Sequence, residues 1–328
     1  MVQFILYRVF WSIPLFIAVS LMAFALITLP PGDFVTALIA QSASSGEDVD
    51  PAAMQALRER YGLDRPFLVQ YWAWISGVLK GDFGRSLEWN EPVSDLIWGR
   101  MGYTLLLTVV TLIFTWIIAL PIGIYSAVRQ YSVTDYAFTT VGFLGIATPN
   151  FLLALIGLYV SVVYFGVDLS GFQSSEFINA PWSWDRLIDL AKHMWLPVVV
   201  LGTAGMASLI RVMRANLLDE LNKPYVEAAR ARGLSEFALI LKYPVRIAIN
   251  PFVSTVGWIL PQLVSGSIIV SIVLSLPTAG PMLLQSLVSQ DMYLAGAFIL
   301  LLSVLTVVGT LISDLLLAAL DPRIRYGK

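Results

Sequence analysis

The sequence predicts an all-α membrane protein that crosses the bilayer six times. Of its 328 residues, 58% are hydrophobic and 13% are charged, and the mean hydropathy of +0.78 is too high for a soluble domain of this length. Several uncharged runs are long enough for a spanning helix, which takes about 20 residues. Basic residues gather in connections on one side of these runs, which is typical of cytoplasmic loops.

Six runs of low charge are the predicted spans. We expect the first to be a retained span rather than a cleaved signal segment, since it is long and ends in Leu29-Pro30-Pro31 without a small-residue cleavage site. The fifth lies in a run of 44 uncharged residues, which is too long for one helix and also contains a partly buried outer loop around Leu276–Pro281. The spans are Val9–Gly32, Met101–Val128, Tyr136–Val167, Met194–Ile210, the first part of Ile247–Gln290, and Met292–Ser313.

Prolines interrupt two of these spans. In the third span, Pro149 follows Thr148 and precedes Asn150, and a proline removes one backbone donor and bends a helix. The Asn150 side chain either satisfies the freed backbone groups or faces a solute path, and the residues alone leave both interpretations open. We expect Pro261 to break the fifth span in the same way.

Both termini are predicted to be cytoplasmic, in a multi-pass protein of the cell inner (plasma) membrane. The short outer loop Gly166–His193 carries only Arg186 and Lys192 as basic residues. The long segment 33–100 is discounted, because long loops are translocated regardless of their charge. The basic residues of the inner connections are Arg8, Arg129, the group from Arg211 to Arg246, Arg323, Arg325 and Lys328.

The long outer segment is predicted to contain short helices. Asp50-Pro51 reads as the start of one helix, which ends at Gly62. Several aromatic side chains suit a surface that lies against the lipid headgroups. The segment is therefore either a loop on the membrane surface or part of a docking surface for an external protein. These aromatic residues are Trp72, Trp74, Phe83, Trp89 and Trp98.

A polar stretch between the fourth and fifth spans, Lys223–Pro251, contains five of the twenty basic residues. Strong helix formers from Tyr225 to Arg232 are followed by Gly233, the usual residue just past a helix end. Ser235 can cap a second helix. This pattern predicts a helix, a glycine turn and a helix at the cytoplasmic face, although an ordinary basic loop remains the alternative. The apolar residues of the second helix are Phe237, Leu239, Ile240 and Leu241.

Catalytic motifs are sparse. The chain has no cysteine, one histidine and no GxxxxGK[ST] stretch, which argues against disulfides, thiol catalysis, a metal centre and a P-loop. His193, beside Trp195, is expected at the membrane interface. An intramembrane serine protease would need His193 to reach Ser265. A secondary transporter would need a carboxylate within a span, and only Asp314 qualifies, where pairing with Arg323 or Arg325 is the expected role.

Sequence motifs relate the chain to a known family. Glu227-Ala228-Ala229, followed after three residues by Gly233, resembles the EAA loop of ABC importer permeases. Where the general pattern continues with Ile-x-Leu-Pro, this chain has Tyr243-Pro244-Val245-Arg246. The longer spacing, with Arg246 and then Asn250-Pro251, resembles the dipeptide/oligopeptide permease branch instead. Pro277-Thr278-Ala279-Gly280 departs from that branch's Pro-Gly-x-Gly. Further similar motifs are Pro31-Gly32-Asp33, Tyr61-Gly62-Leu63-Asp64, Gly81–Ser86 and Asp321–Arg325.

The resemblance implies the fold of a type I ABC importer permease. It divides the chain into a first transmembrane helix (1–32), an extracytoplasmic segment with short helices (33–100), a five-helix core (101–320) that includes the coupling loop 214–250, and a cytoplasmic tail (321–328). The residues it assigns to coupling with the ATPase are Glu227, Ala228, Ala229, Gly233, Ser235 and Glu236.

The resemblance also implies partners and cargo. It implies a second homologous permease in a heterodimer, two ABC ATPase subunits that bind ATP and Mg, and an extracytoplasmic substrate-binding protein. The chain itself is then a transport subunit without a cofactor. Peptides are the implied cargo, with oligosaccharides or metal chelates as alternatives within the same family.

A helical wheel of the fifth span separates a polar arc from an apolar remainder. The arc contains Ser254, Thr255, Trp258, Gln262, Ser265 and Gly266. Close helix packing accounts for Ser265 and Gly266, whereas Trp258 and Gln262 are too large for it and suit a cavity wall. The candidate residues of a translocation path are therefore Asn150, Trp258, Gln262 and Ser265.

Overall fold

A computed structural model describes residues 2–28, 32, 34–36, 38–39, 51–178 and 180–320 of the chain. For residues 2–8, 27, 60, 258, 260, 261 and 320 it describes the backbone only. Within these ranges the regular structure is helical, apart from one isolated bridge between Arg85 and Pro92. The predicted all-α class is confirmed.

The helices differ widely in length, from one or two turns to ten turns. In chain order they are α1 (Val2–Thr28), α2 (Pro51–Tyr61), α3 (Phe67–Val78), α4 (Val93–Val128), α5 (Val133–Ala147), α6 (Asn150–Phe165), α7 (Trp184–Leu221), α8 (Pro224–Ala231), α9 (Glu236–Lys242), α10 (Pro244–Ser254), α11 (Val256–Gly266), α12 (Ile268–Val273), α13 (Ala279–Val288) and α14 (Met292–Leu320).

Four helices, α1, α4, α7 and α14, are long and apolar enough to cross a membrane. They coincide with the predicted first, second, fourth and sixth spans. Helices α5 and α6 form a fifth candidate if the pair counts as one span, and their axes differ by 99°. The break between them falls at Thr148-Pro149, which confirms the predicted interruption. This arrangement is consistent with six spans.

The predicted fifth span is divided into the short helices α10, α11 and α12. The expected break at Pro261 is wrong, because α11 continues through that position and the interruptions fall at Thr255 and Ser267. The Thr255 hydroxyl donates to the Phe252 carbonyl at 2.6 Å, and the Ser267 hydroxyl donates to the Val264 carbonyl at 2.8 Å. Such local bonds compete with the regular helical ladder.

Residues 105–277 and 306–320 belong to one compact unit. Its core is formed where α4, α7 and α10 meet, with Met213, Leu217 and Phe252 fully buried. The rings of Trp116 and Phe252 meet edge to face, with centroids 5.0 Å apart. At Gly123 a side chain would come within 2.7 Å of the Met213 Cβ, so α4 and α7 approach closely there.

Residues 2–104 and 278–305 belong to a second compact unit. In it α3 packs against α1, and the ring of Phe24 lies 5.6 Å from that of Trp74 and 5.4 Å from that of Phe67. Trp74 is only 3% exposed, so its predicted place at the headgroups is wrong, whereas Trp72 and Trp98 are exposed. Helix α2 begins at Pro51 and is followed by Gly62 at φ +65°, as predicted; Asp50 lies outside the described residues.

Candidate functional site

Residues 223–243 form a compact knob between α7 and α10. Pro224 opens α8 at a position where a missing N–H costs nothing, and Gly233 adopts φ +78° in the turn that follows. Helix α9 begins at Glu236. The predicted order of helix, glycine turn and helix is confirmed. Ser235 stands at the capping position, although its side chain makes no capping hydrogen bond.

The knob has its own small apolar core. Val226 and Leu239 are fully buried, and Ala229 is 6% exposed. Tyr225 and Tyr243 are partly buried and pack against this core. Ala229 therefore joins the two short helices from inside, and any contact it makes with another protein is indirect.

The remaining residues of the EAA pattern lie on the surface. Phe237 is 76% exposed, which is unusual for a phenylalanine outside the membrane. Apart from Gly233 itself and its two chain neighbours, no atom of the described residues lies within 4 Å of the place where a side chain at Gly233 would begin. We call a set of exposed residues of the knob, which includes two carboxylates and an aromatic ring, the knob surface. Its members are Glu227, Ala228, Gly233, Ser235, Glu236 and Phe237.

An ion pair closes the turn of the knob. Arg230 donates from Nε to Glu236 Oε1 at 2.5 Å and from Nη2 to Oε2 at 3.2 Å. The side-chain hydrogen bond from Arg230 lowers the pKa of Glu236, and the same bond raises the pKa of Arg230. Both groups are half exposed, so the pair fixes the direction of α9 more than it adds stability.

Two further polar contacts hold the base of the knob. The Glu220 carboxylate accepts hydrogen bonds from Lys223 Nζ at 2.5 Å and from the Tyr225 hydroxyl at 2.6 Å. Burial and the bond to Glu220 raise the pKa of Tyr225, which therefore stays a donor. Six residues before Glu220 on α7, Arg214 pairs at 3.2 Å with the buried carboxylate of Asp135.

A cavity of about 190 Å³ lies within the first unit, between α4, α6, α7 and α11. Most of its wall is apolar. Its polar lining comes from Thr115, Asn150, Ser208 and Gln262. We call it the interior cavity.

Two family descriptions cover nearly the whole sequence. Residues 119–326 match the family described as binding-protein-dependent transport system inner membrane component, and residues 1–108 match its N-terminal counterpart. The chain belongs to this family. It is thus a multi-pass ABC transporter permease of the inner membrane.

Relatives from different bacteria match along their full length. The oligopeptide transport system permease protein of Bacillus subtilis is 36% identical over 331 residues, which is 99% of this chain and 100% of the relative. The dipeptide transport system permease protein of Escherichia coli K12 is 32% identical, covering 100% of both chains. A glutathione transport system permease protein of Salmonella choleraesuis is 33% identical, covering 99% of this chain and 100% of the relative.

The predicted path residues of the permease are distributed as follows. Asn150 and Gln262 both line the interior cavity, from α6 and α11. Ser265 does not line it; its hydroxyl donates to the Gln262 carbonyl at 3.3 Å within the same helix. The side chain of Trp258 lies outside the described residues. A role in transport stays a prediction for all four.

Sequence reasoning missed Thr115 and Ser208 as lining residues. A signal was present for Thr115, because it is the last of four threonines that recur on one face of α4 at helical spacing. A polar series along an apolar span indicates a face turned towards protein or water. The buried members of this series are Thr104, Thr108, Thr111 and Thr115.

The only histidine of the sequence is buried within the protein, and its place at the membrane interface stays a prediction. His193 is 5% exposed, and its Nδ1 lies 2.9 Å from the Asp189 carbonyl oxygen. It lines a pocket of about 1190 Å³ together with Asp168, Asp189 and Lys192. Ser265 does not line this pocket, and its hydroxyl donates to the Gln262 carbonyl instead.

The buried carboxylate of Asp291 forms a third site, and this site accounts for the motif Gly81–Ser86 of the second unit. The buried Asp291 carboxylate accepts hydrogen bonds from the Ser86 hydroxyl at 2.5 Å and from the backbone N–H of Leu87 at 2.9 Å. Gly84 adopts φ +83°, and a side chain there would come within 2.9 Å of the Tyr293 ring. Burial raises the pKa of Asp291, and the donated hydrogen bonds offset this only in part. The motif thus shapes a loop around one carboxylate.

Proposed function

We propose that this permease forms one half of the translocation pore of an ATP-driven, binding-protein-dependent importer for peptides or a similar small solute. The other half is a second, homologous permease. Two ATPase subunits bind ATP and Mg on the cytoplasmic side, and a substrate-binding protein delivers the cargo from outside. Both termini are cytoplasmic, in keeping with the distribution of basic residues.

The knob surface is the observation that carries this proposal. A compact helical pair with its own core presents Glu227, Glu236 and Phe237 to solvent, and such a surface suits insertion into a cleft of another protein. The sequence contains no P-loop, which is in keeping with ATP hydrolysis on a partner subunit. A mobile ATPase that holds the knob can pass its movement to the membrane helices.

Peptides are the cargo that the relatives favour. The three relatives are named for oligopeptide, dipeptide and glutathione transport, and glutathione is itself a short peptide. The oligosaccharide and metal-chelate alternatives have no comparable support in this chain.

ATP hydrolysis by the complete transporter tests the coupling role. We expect Glu227→Lys and Gly233→Leu to leave the permease in the membrane but to abolish most of the stimulation by the binding protein. Leucine disfavours the positive φ at position 233 by roughly 1 kcal/mol or more, which misdirects α9.

A matched control separates docking from a general charge effect. Glu176→Lys makes the same charge change at an exposed residue of the loop before α7 and should keep full stimulation. Wild-type stimulation in both knob variants would remove the coupling role. Equal losses in all three variants would show that the effect is not specific to the knob.

A further inference from the structure

We infer that α3 is immersed in the hydrocarbon of one leaflet of the bilayer, where the face that the protein leaves uncovered binds lipid acyl chains. The leaflet is the one that holds the C-terminal half of α1, which is the outer leaflet in the orientation proposed above. This inference goes beyond the proposed function, because it depends neither on the cargo nor on the ATPase. For α3 it favours contact with the membrane over a docking surface for an external protein, the two interpretations that the sequence leaves open.

Helix α3 has the composition of a membrane helix but only part of the length. No charged residue lies between Arg65 and Lys80, a range that contains the whole helix. Its 12 residues extend over about 18 Å, whereas the hydrocarbon layer is about 30 Å thick. An apolar helix of this length either belongs to a protein core or lies within one side of a membrane.

The contacts with α1 give the depth of α3. The segment of α1 that is apolar enough to cross a membrane ends at Leu26. Ser20 and Phe24 lie about 9 Å and 3 Å inside that end, at 1.5 Å per residue. The Ser20 hydroxyl lies 2.8 Å from that of Tyr71. The Phe24 ring stacks with the Trp74 ring, with centroids 5.6 Å apart. Helix α3 therefore lies beside the apolar segment of α1 and not above it.

Helix α14 gives the same depth independently. Its apolar segment begins at Met292, so Gly296 lies about 6 Å inside it. A side chain at Gly296 would begin 3.1 Å from the Trp74 ring, so α3 and α14 approach closely there. Met292 belongs to the same buried cluster as Trp74 and Phe24. Both candidate spans thus place their contacts with α3 within the roughly 15 Å of one leaflet.

One face of α3 is not covered by the described residues. Leu68 is 68% exposed, Trp72 is 70% exposed, and Val69 is exposed as well. Leu68 and Trp72 are one helical turn apart and lie on the same side of the helix. At the depth given by α1 and α14 the surrounding phase is hydrocarbon, which accommodates these apolar side chains, whereas contact with water is unfavourable for them.

The surroundings of this face point to lipid rather than to another protein. Met22, on α1 at the same depth, is 63% exposed, so the apolar surface of a span is open beside α3. Arg65 and Lys80 are exposed just beyond the two ends of α3, from where their long side chains can reach the headgroups. A protein interface has a polar rim. The carboxamide of Gln70, by contrast, is turned to the protein, where it donates to the carbonyls of Leu63 and Arg65.

Spin labels in the cysteine-free chain test the inference. Leu68→Cys and Trp72→Cys are labelled singly and reconstituted, with partner subunits freed of cysteine, into vesicles of phosphatidylethanolamine and phosphatidylglycerol. The accessibility of each label is measured to oxygen, which concentrates in hydrocarbon, and to a water-soluble nickel chelate, which does not. Met22→Cys is the reference in lipid. Glu59→Cys, at an exposed residue of α2, is the reference in water.

We expect the oxygen-to-nickel ratio at positions 68 and 72 to match that of Met22→Cys. It should exceed the ratio of Glu59→Cys by about tenfold or more, because a polar chelate is strongly excluded from hydrocarbon. A saturating amount of the binding protein should leave both ratios unchanged. Elution of each labelled permease as one complex with its partners shows that it is assembled, and Val69→Cys replaces a variant that is not.

Every other result overturns the inference. A ratio near that of Glu59→Cys, at one position or both, would show that this face lies in water. A label that neither reagent reaches would show that another subunit covers it. A ratio that changes when the binding protein is added would make α3 a docking surface. None of these results bears on the proposed function, whose own test is ATP hydrolysis by the knob variants.

Discussion

Replacing the buried Asp291 by alanine should loosen the loop that carries Gly81–Ser86. Asp291 is 0% exposed and accepts four hydrogen bonds. Two were described above, from Ser86 and Leu87. The others come from the backbone N–H of Glu88 at 3.2 Å and of Leu294 at 3.2 Å. The bond from Leu294 caps the start of α14, while the other three hold the loop.

The magnitude follows from the donors that are left behind. Each buried donor without an acceptor costs about 1–3 kcal/mol, and loss of a helix cap costs about 1 kcal/mol. The loop can relax, and water can bind some of these donors. We therefore expect the loop and the start of α14 to lose about 3–5 kcal/mol of stability in total, rather than the full sum. Asp291→Asn keeps one acceptor oxygen but turns an amide N–H₂ towards donors, so about half of that effect is expected.

Hydrogen exchange measures this locally, in detergent micelles. For Asp291→Ala the backbone amides of Leu87 and Leu294 should exchange about 100-fold faster or more, since each 1.4 kcal/mol corresponds to a factor of ten. Asp82→Asn is the control, because within the part of the chain that the structure describes the exposed Asp82 carboxylate accepts only the Gly84 N–H, at 2.9 Å. Unchanged exchange in Asp291→Ala, or an equal effect of Asp82→Asn, would refute the reasoning.

Three further predictions concern topology, pH and the cavity. An impermeant thiol reagent should label Glu47→Cys and Glu176→Cys in intact cells but not Arg129→Cys or Lys223→Cys; the opposite pattern at 176 and 223 would reverse the orientation. Because Arg230 lowers the pKa of Glu236, the stabilisation that their pair gives is present above the ordinary glutamate pKa of about 4.3 and is lost as the pH falls below it. The protection of the Gly233 amide in the wild type should therefore exceed that in Glu236→Gln at pH 7 and equal it in acid; a difference that persists in acid would contradict the assignment. Finally, Gln262→Cys should react with a small water-soluble thiol reagent, while Val264→Cys, at a residue 2% exposed, should not; the reverse result would place the polar face of α11 elsewhere.

Local patterns of the sequence were sufficient for much of the fold. Uncharged runs located four of the long helices, and the helix formers before Gly233 located the knob. The uncharged runs and the run of helix formers are both local signals, because the composition of neighbouring residues decides whether a segment forms a helix. The break at Pro149 is of the same kind, since the proline itself removes the donor.

Other features depend on partners that are distant in the sequence. The contact between Ser86 and Asp291 joins residues 205 positions apart, and no periodicity in the sequence predicts it. Trp74 looked like an interfacial residue, but it is buried because α3 packs against α1 at Phe24. Pro261 does not end α11, whereas Thr255 and Ser267, with hydroxyls bonded to their own helices, lie at its limits. Tertiary packing decided each of these cases.

Helix α7 connects the two candidate sites of the permease within one unit. Near its end, Glu220 holds the first turn of the knob, and Arg214 holds Asp135 at the start of α5. Closer to its middle, Gly205 and Ser208 line the interior cavity. At 1.5 Å per residue, the distance along the helix from Ser208 to Glu220 is about 18 Å. A continuous helix of this length transmits a displacement at one end to the other, because its packed neighbours leave little room for bending. Movement of the knob therefore has a direct physical route to the cavity wall, to which Asn150 also contributes from the start of α6.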